Sequence, residues 1–240
     1  MPAVSLEDFL IFLPALLQGA KLTVLLTVAI FAVSTVAGLL VALGRLSPYR
    51  WLRLPLAAYV EFIRATPGLV QIYYIFYVLP FFGLTLDAIL AGIVGLSINY
   101  AAYLSEVFRS GIQSVPPTQR EAAVTIGLSY AQTMRFVVLP QALRIVLPPT
   151  VNYLLGLFKD TSLLSVITIQ ELMFTGLLIA STTFKHFVIL TEIALIYFVI
   201  CYPVALLATA LERNLKRRRR QGGRTWLAAL RASLPGLTRA

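Results

Sequence analysis

The chain has 240 residues, 59% of them hydrophobic and 12% charged, whereas a soluble domain carries about 25% charged residues. That shortfall, with a mean hydropathy of +0.85, excludes an ordinary soluble globule and points to a membrane protein. The net charge of +10 sits in clusters between apolar runs, so it reads as a topology signal rather than a nucleic-acid surface.

Residues 1–20 lack a positively charged leader and read as an amphipathic segment on the outward side of the membrane, not as a cleaved signal. A span needs about 20 mostly apolar residues. Leu22 to Leu43 is the first. Leu54 to Phe82 is the second, interrupted by Arg64 and Pro67. Leu86 to Phe108 is the third, rich in Gly, Ala and Ser. Val137 to Phe158 is the fourth, and Phe187 to Leu211 is the fifth, with the single cysteine, Cys201, expected as a buried small hydrophobe. Leu163 to Ser181 contains Glu171 and Gly176 and reads as a short outward-side helix or partly re-entrant segment.

Arg45, Arg50 and Arg53 lie between spans one and two, Arg109, Arg120, Arg135 and Arg144 around the connection between three and four, and Arg213 with Lys216 to Arg220 after span five. Five spans alternate with these clusters, which puts the N-terminus outside and the C-terminus in the cytoplasm. The basic tail, 212–240, either lies on an anionic leaflet through Trp226, Leu230 and Leu234 or is a solvated stop-transfer tail.

The connection EAAVTIGLSYAQTMRFVVLP, Glu121 to Pro140, is polar and helix-like. Thr118 and Glu121 have capping-box spacing, Gly127 is placed to end a short helix in a left-handed turn, and Ser129 can cap a second helix. Small residues on the first helix allow close approach of a partner, although an ordinary connecting loop would read the same way.

Glu121, Ala122, Ala123, Gly127, Val137, Leu139 and Pro140 resemble the EAA loop of the permease subunits of ABC importers, within a loop region at 116–140. RATPGLVQIYYIFYVLP (Arg64 to Pro80), AAYLSEVFRSGIQSVPPTQREAA (Ala101 to Ala123) and KDTSLLSVI (Lys159 to Ile167) resemble segments of the permeases for polar amino acids. The resemblance covers about Lys21 to Leu211. It implies an all-α polytopic fold of about five transmembrane helices with a cytoplasmic coupling helix, the type I ABC importer transmembrane domain at 21–211, in a bacterial inner membrane. It also implies a separate ATP-binding subunit, a second permease chain (the same or paralogous) and an extracytoplasmic amino acid-binding protein. The loop residues Glu121, Ala122, Ala123, Gly127, Leu139 and Pro140 would seat in the ATPase.

No P-loop pattern occurs, so ATP and magnesium belong to the partner and no cofactor is expected on this chain. His186, the one histidine, reads as a surface residue. Polar groups inside a membrane are costly and mark function. Asp160, Thr161, Ser162 and Asn99 are expected to line the substrate route, with Gln71, Tyr153 and Lys159 as further candidates. Lys159 to Ser162 are expected to follow a helix ended by Gly156, with Asp160 taking an ammonium group or holding Lys159; a Lys–Asp pair that merely caps the break is the alternative. The absence of a further carboxylate near Tyr153, Gly156 and Leu157 leans toward a neutral or acidic amino acid. Glu61 and Arg64 are spaced to pair on one helix face. A self-contained ion-coupled carrier or channel is the other functional class, with Glu106 and Glu192 as its acids.

Overall fold

The computed structural model describes residues 6–233, with side chains described for residues 9–215. The expected roles of Trp226, Leu230 and Leu234 in the tail lie outside the described side chains. The fold is all-helical, with no strand among the described residues. Helix α1 runs from Leu6 to Arg45, α2 from Arg50 to Ala65 and α3 from Gly68 to Tyr73. The latter continues through a π-helical stretch, Tyr74–Val78, and a 3-10 turn, Leu79–Phe82. Helix α4 covers Ala88–Gln113, α5 Pro117–Thr125 and α6 Tyr130–Gln132. A second π-helical stretch, Thr133–Val138, leads into α7 (Leu139–Asp160) and a 3-10 segment (Thr161–Ile167). Helices α8 (Leu172–Thr183) and α9 (His186–Ser233) are the last of the described elements.

Among the described residues, three helices are long and apolar enough to cross a membrane: Phe9–Arg45, Ala88–Gln113 and His186–Leu215. Two bent pairs, Arg50–Ala65 with Gly68–Phe82 and Tyr130–Ile167 with Leu172–Thr183, bring the number to five if each pair is one span. Helix α4 is central: 61% of its most apolar stretch is buried, against 28% for α1 and 11% for α9. Its buried face carries small residues, and Gly111 lets α7 come close, since a Cβ there would meet Val146 Cγ1. In lipid such packing, not burial from water, holds helices together. Leu26, Ile30, Ile72, Leu96, Leu157 and Leu164 belong to the main core. A second cluster joins Leu16 and Ala20 of α1 to Leu172, Ile189 and Ile193. Buried hydroxyls of Thr23, Thr27 and Ser34 donate to the carbonyl four residues back, so none is left unpaired in an apolar setting.

Three expectations are corrected and one is met. From Leu6 on, the N-terminal segment is not a separate surface element: α1 is continuous through Pro14 and Gly19, because Leu16 and Ala20 are packed against α8 and α9. The second span is interrupted where expected, with α2 and the helix that follows at 108° to one another. Thr66 takes an extended conformation ahead of Pro67 and ends α2, as the residue before a proline must. Gly156 does not end its helix; α7 runs through it, and the chain turns only after Ile167, where Thr168 has φ +64°. Gly156 instead makes room for the Tyr100 hydroxyl, which an added Cβ would approach to 3.3 Å. Cys201 is half-buried and faces a groove rather than the core.

Candidate functional site

The broken second span, α4 and the end of α7 enclose a cavity of about 220 Å³. Its polar wall is Asn99, Tyr100 and Tyr103 of α4 with Tyr153 and Asp160 of α7; Gly68, Leu96 and Leu163 close it. The Tyr100 hydroxyl donates to Asp160 Oδ2 at 2.7 Å, which fixes the carboxylate. Tyr153 stands edge-on to Tyr100, with ring centres 6.3 Å apart, and lies against Tyr103 at 5.8 Å. The Arg64 guanidinium sits 5.9 Å from the centre of the Tyr103 ring, so a cation flanks the same tyrosine that lines the cavity. Arg64 therefore does not pair with Glu61 as its spacing suggested; neither residue forms an ion pair with the other.

Asn99 is oriented from behind. Its Nδ2 donates to Gln71 Oε1 at 3.0 Å. Gln71 Nε2 in turn donates to Ile63 O, Thr66 O and Thr66 Oγ1, at 2.9, 3.1 and 2.7 Å. Gln71 thus satisfies the end of α2 at its break and holds the Asn99 amide; it does not line the cavity. Asn99, Tyr153 and Asp160 are brought together as expected, and Gln71 lies one hydrogen bond behind them.

The other candidates point elsewhere. Thr161 is fully buried and its hydroxyl donates to Phe158 O. Lys159 and Ser162 line a separate groove of about 620 Å³, with Tyr197 and Cys201 of α9. No Lys159–Asp160 ion pair forms, because consecutive residues on a helix project about 100° apart.

The sequence reading missed Tyr100 and Tyr103; Tyr103 carried a signal, lying four residues after Asn99 and three after Tyr100, whereas Tyr100, adjacent to Asn99, carried none of that kind. It also missed the role of Glu171. This carboxylate is fully buried and accepts from Met173 N, Phe174 N and the Tyr197 hydroxyl at 3.0, 2.8 and 3.2 Å, with Thr23 Oγ1 at 3.4 Å. It caps α8 and ties α1 and α9 to it. Of the two acids considered for a carrier, Glu106 is held by Arg45 at 2.6 Å and by Arg109. Glu192 is buried, with Oε2 unpartnered. His186 is exposed.

The connection from α4 to α7 forms the expected pair of short helices. Pro116, not Thr118, occupies the cap position of α5, so no Thr118–Glu121 capping box forms. Pro117 is preset for the first helical position and moves the start two residues earlier. Gly127 adopts φ +83°, Leu128 N bonds Ala123 O and Gly127 N bonds Val124 O, the double closure of a Schellman turn. Ser129 then caps α6 in a reciprocal box with Gln132. Ala123 is buried, whereas Glu121, Ala122, Leu139 and Pro140 are exposed. Val124, Ile126, Tyr130 and Phe136 leave large apolar side chains on the surface, 65%, 76%, 80% and 62% exposed. Patches of that kind mark interaction sites.

Comparison with known proteins gives the family and the fold. Residues 34–217 match the family model described as the binding-protein-dependent transport system inner membrane component. The L-cystine transport system permease protein TcyB of Bacillus subtilis (strain 168) is 41% identical over 207 residues, covering 86% of this chain and 88% of that one. The glutamine transport system permease protein GlnP of Escherichia coli (strain K12) is 36% identical over 207 residues, covering 85% and 94%. A crystal structure of an amino acid ABC transporter with histidines superposes with a TM-score of 0.83 at 34% identity, covering 88% of this chain and 99% of that one. An inward-facing MetNI methionine ABC transporter shares the fold, with a TM-score of 0.64 at 19% identity. A family match over more than half of the chain, with relatives this similar along most of their length, makes it a member of the binding-protein-dependent transport system inner membrane components, the permease subunits of ABC transporters.

Proposed function

We propose that this chain is the membrane-spanning subunit of an ATP-driven importer for a neutral or acidic polar amino acid. The single observation that supports the reading is a continuity: the exposed Tyr130 and Phe136 and the cavity residue Asp160 lie on one helical run, Tyr130–Ile167, to which α5 is joined by the Gly127 turn. A partner that displaces α5 therefore acts on the wall of the cavity through that one turn. The closest chemistry for the cavity is a zwitterion. Asp160 takes the ammonium group, the Asn99 amide binds the carboxylate, and the three tyrosines enclose the side chain. Asp160 is the one carboxylate lining this cavity, and its engagement with the ammonium group disfavours a basic side chain. The relatives that name L-cystine, glutamine and histidine carry the amino-acid class but not the cargo.

Mechanistically, two such chains, identical or paralogous, form the path, and an extracytoplasmic binding protein delivers the substrate at the outer face. Separate ATPase subunits, which hold ATP and magnesium, dock on Glu121 to Gly127 with Leu139 and Pro140 beside them. Their closure swings the chains between inward and outward opening. The N-terminus lies outside and the basic C-terminal tail in the cytoplasm. Binding the amino acid by a few fixed polar groups in an otherwise apolar pocket orients it without a covalent step.

The test is co-purification from detergent of the chain tagged at its C-terminus, with uptake of amino acids measured in proteoliposomes. Recovery of a P-loop ATPase, lost on Gly127→Asp together with ATP-driven uptake, is the expected result. Transport by the chain alone without ATP would overturn the reading in favour of an ion-coupled carrier.

A further inference from the structure

We propose that the groove between α1 and α9 holds an anionic phospholipid, its phosphate on Lys21 and an acyl chain on the apolar walls below. The groove has a volume of about 430 Å³. Leu17 and Val24 of α1 and Leu195, Val199 and Ile200 of α9 line it, and Lys21 is its one charged residue.

Lys21 is exposed, and no carboxylate reaches it among the described residues. Two acids lie near it in the fold. Glu171 is engaged by Met173, Phe174, Tyr197 and Thr23. Glu192, four residues before Ile196 of the groove, is buried and unpaired with it. With no carboxylate of the described residues paired to it, the Lys21 ammonium group takes its counter-charge from outside the chain.

Its depth identifies that anion. Arg45, held by Glu106, ends α1 and begins the basic cluster with Arg50 and Arg53 that marks one membrane boundary. Lys21 lies 24 positions earlier on the same helix. At about 1.5 Å per residue that is about 36 Å, against a hydrocarbon core of about 30 Å. Lys21 is therefore at phosphate depth on the opposite boundary, with Val24, Val199 and Ile200 on the side toward the bilayer centre. A second copy of this chain is a poorer occupant. Its exposed acids among the described residues, Glu61, Asp87 and Glu121, lie on α2, at the cap of α4 and on α5, away from the two helices that form the groove.

Native mass spectrometry of the delipidated complex tests this with dioleoyl phosphatidylglycerol and dioleoyl phosphatidylcholine as probes. One phosphatidylglycerol per chain should be retained about fivefold over phosphatidylcholine, the preference that one lysine gives at an anionic lipid surface. Lys21→Gln should make the two lipids equal. Val199→Phe, at a residue 67% exposed, should fill the groove and lose both lipids while the complex stays folded. Equal retention by the unaltered protein, or a preference that survives Lys21→Gln, would overturn the proposal. So would a Val199→Phe variant that loses chain–chain association instead of lipid.

Discussion

Lys159 and Asp160 are neighbours in the chain and face different spaces. Asp160 enters the small cavity beside Tyr100, while Lys159 lines the larger groove with Tyr197 and Cys201. Helix α7 is thus a partition with an acid on one side and a base on the other. The two ends of one amino acid cannot both be held by this pair within one cavity, and the variants at the two positions separate accordingly.

If Asp160 takes the ammonium group as proposed, Asp160→Asn removes a charge-assisted contact worth about 1.5–3 kcal/mol, or about 10- to 150-fold in affinity. Uptake measured against substrate concentration should show this as a raised half-saturation, with insertion and ATPase association intact. Tyr100→Phe, which frees Asp160 from its hydroxyl partner, should weaken uptake less. Lys159→Gln should leave half-saturation nearly unchanged; a loss as large as that of Asp160→Asn would place the substrate in the other groove.

At Gly127 no atom of this chain lies within 4 Å of where a Cβ would sit, so within the chain a substitution acts through backbone conformation. A left-handed conformation costs an L-residue about 1–2 kcal/mol, and asparagine tolerates it best. ATP-driven uptake should fall in the order Gly, Asn, Ala, Val. The amount of ATPase co-purified should follow the same order, and an Ala variant equal to Gly would remove the turn from the docking argument.

Glu171→Ala leaves two backbone N–H groups and the Tyr197 hydroxyl without their acceptor in a buried setting. At about 1–3 kcal/mol for each unsatisfied group, it should be the most destabilising single replacement among those considered. Thermal unfolding in detergent should show a large drop for Glu171→Ala and a smaller one for Tyr197→Phe, with Glu171→Gln between them.

Gly111→Ala drives a methyl group into Val146, an overpacking that costs about 1–3 kcal/mol. Val146→Ala in the same chain should restore much of the loss, although Val146→Ala alone is destabilising. Melting temperatures of the two single variants and the double variant measure the coupling, and simple additivity would mean that α4 and α7 do not meet there.

The spans were legible because length and apolar content suffice in a membrane. Gly127 and Ser129 were legible because the turn and cap depend on residues adjacent in sequence. What escaped was set by distant partners. The Thr118–Glu121 box gave way to Pro116 and Pro117, whose fixed geometry starts the helix earlier. Gly156 looked like a terminator, but its missing side chain makes room for Tyr100, 56 positions away. Glu171 looked like a blemish in an apolar run until α1 and α9 brought Thr23 and Tyr197 to it. In the site, the chemistry of Asp160 and Asn99 was readable, whereas the direction in which each side chain points required the helix phase.

The Gln71 amide has one last consequence. A sharply bent membrane helix ordinarily leaves carbonyl groups that draw water or a neighbouring side chain to the corner. Here the carbonyls of Ile63 and Thr66 are already occupied from within the same span, eight and five residues away. Those two carbonyls are held from inside the span, and the same amide holds Asn99, so the bend acts as a bracket for the wall of the cavity beyond it.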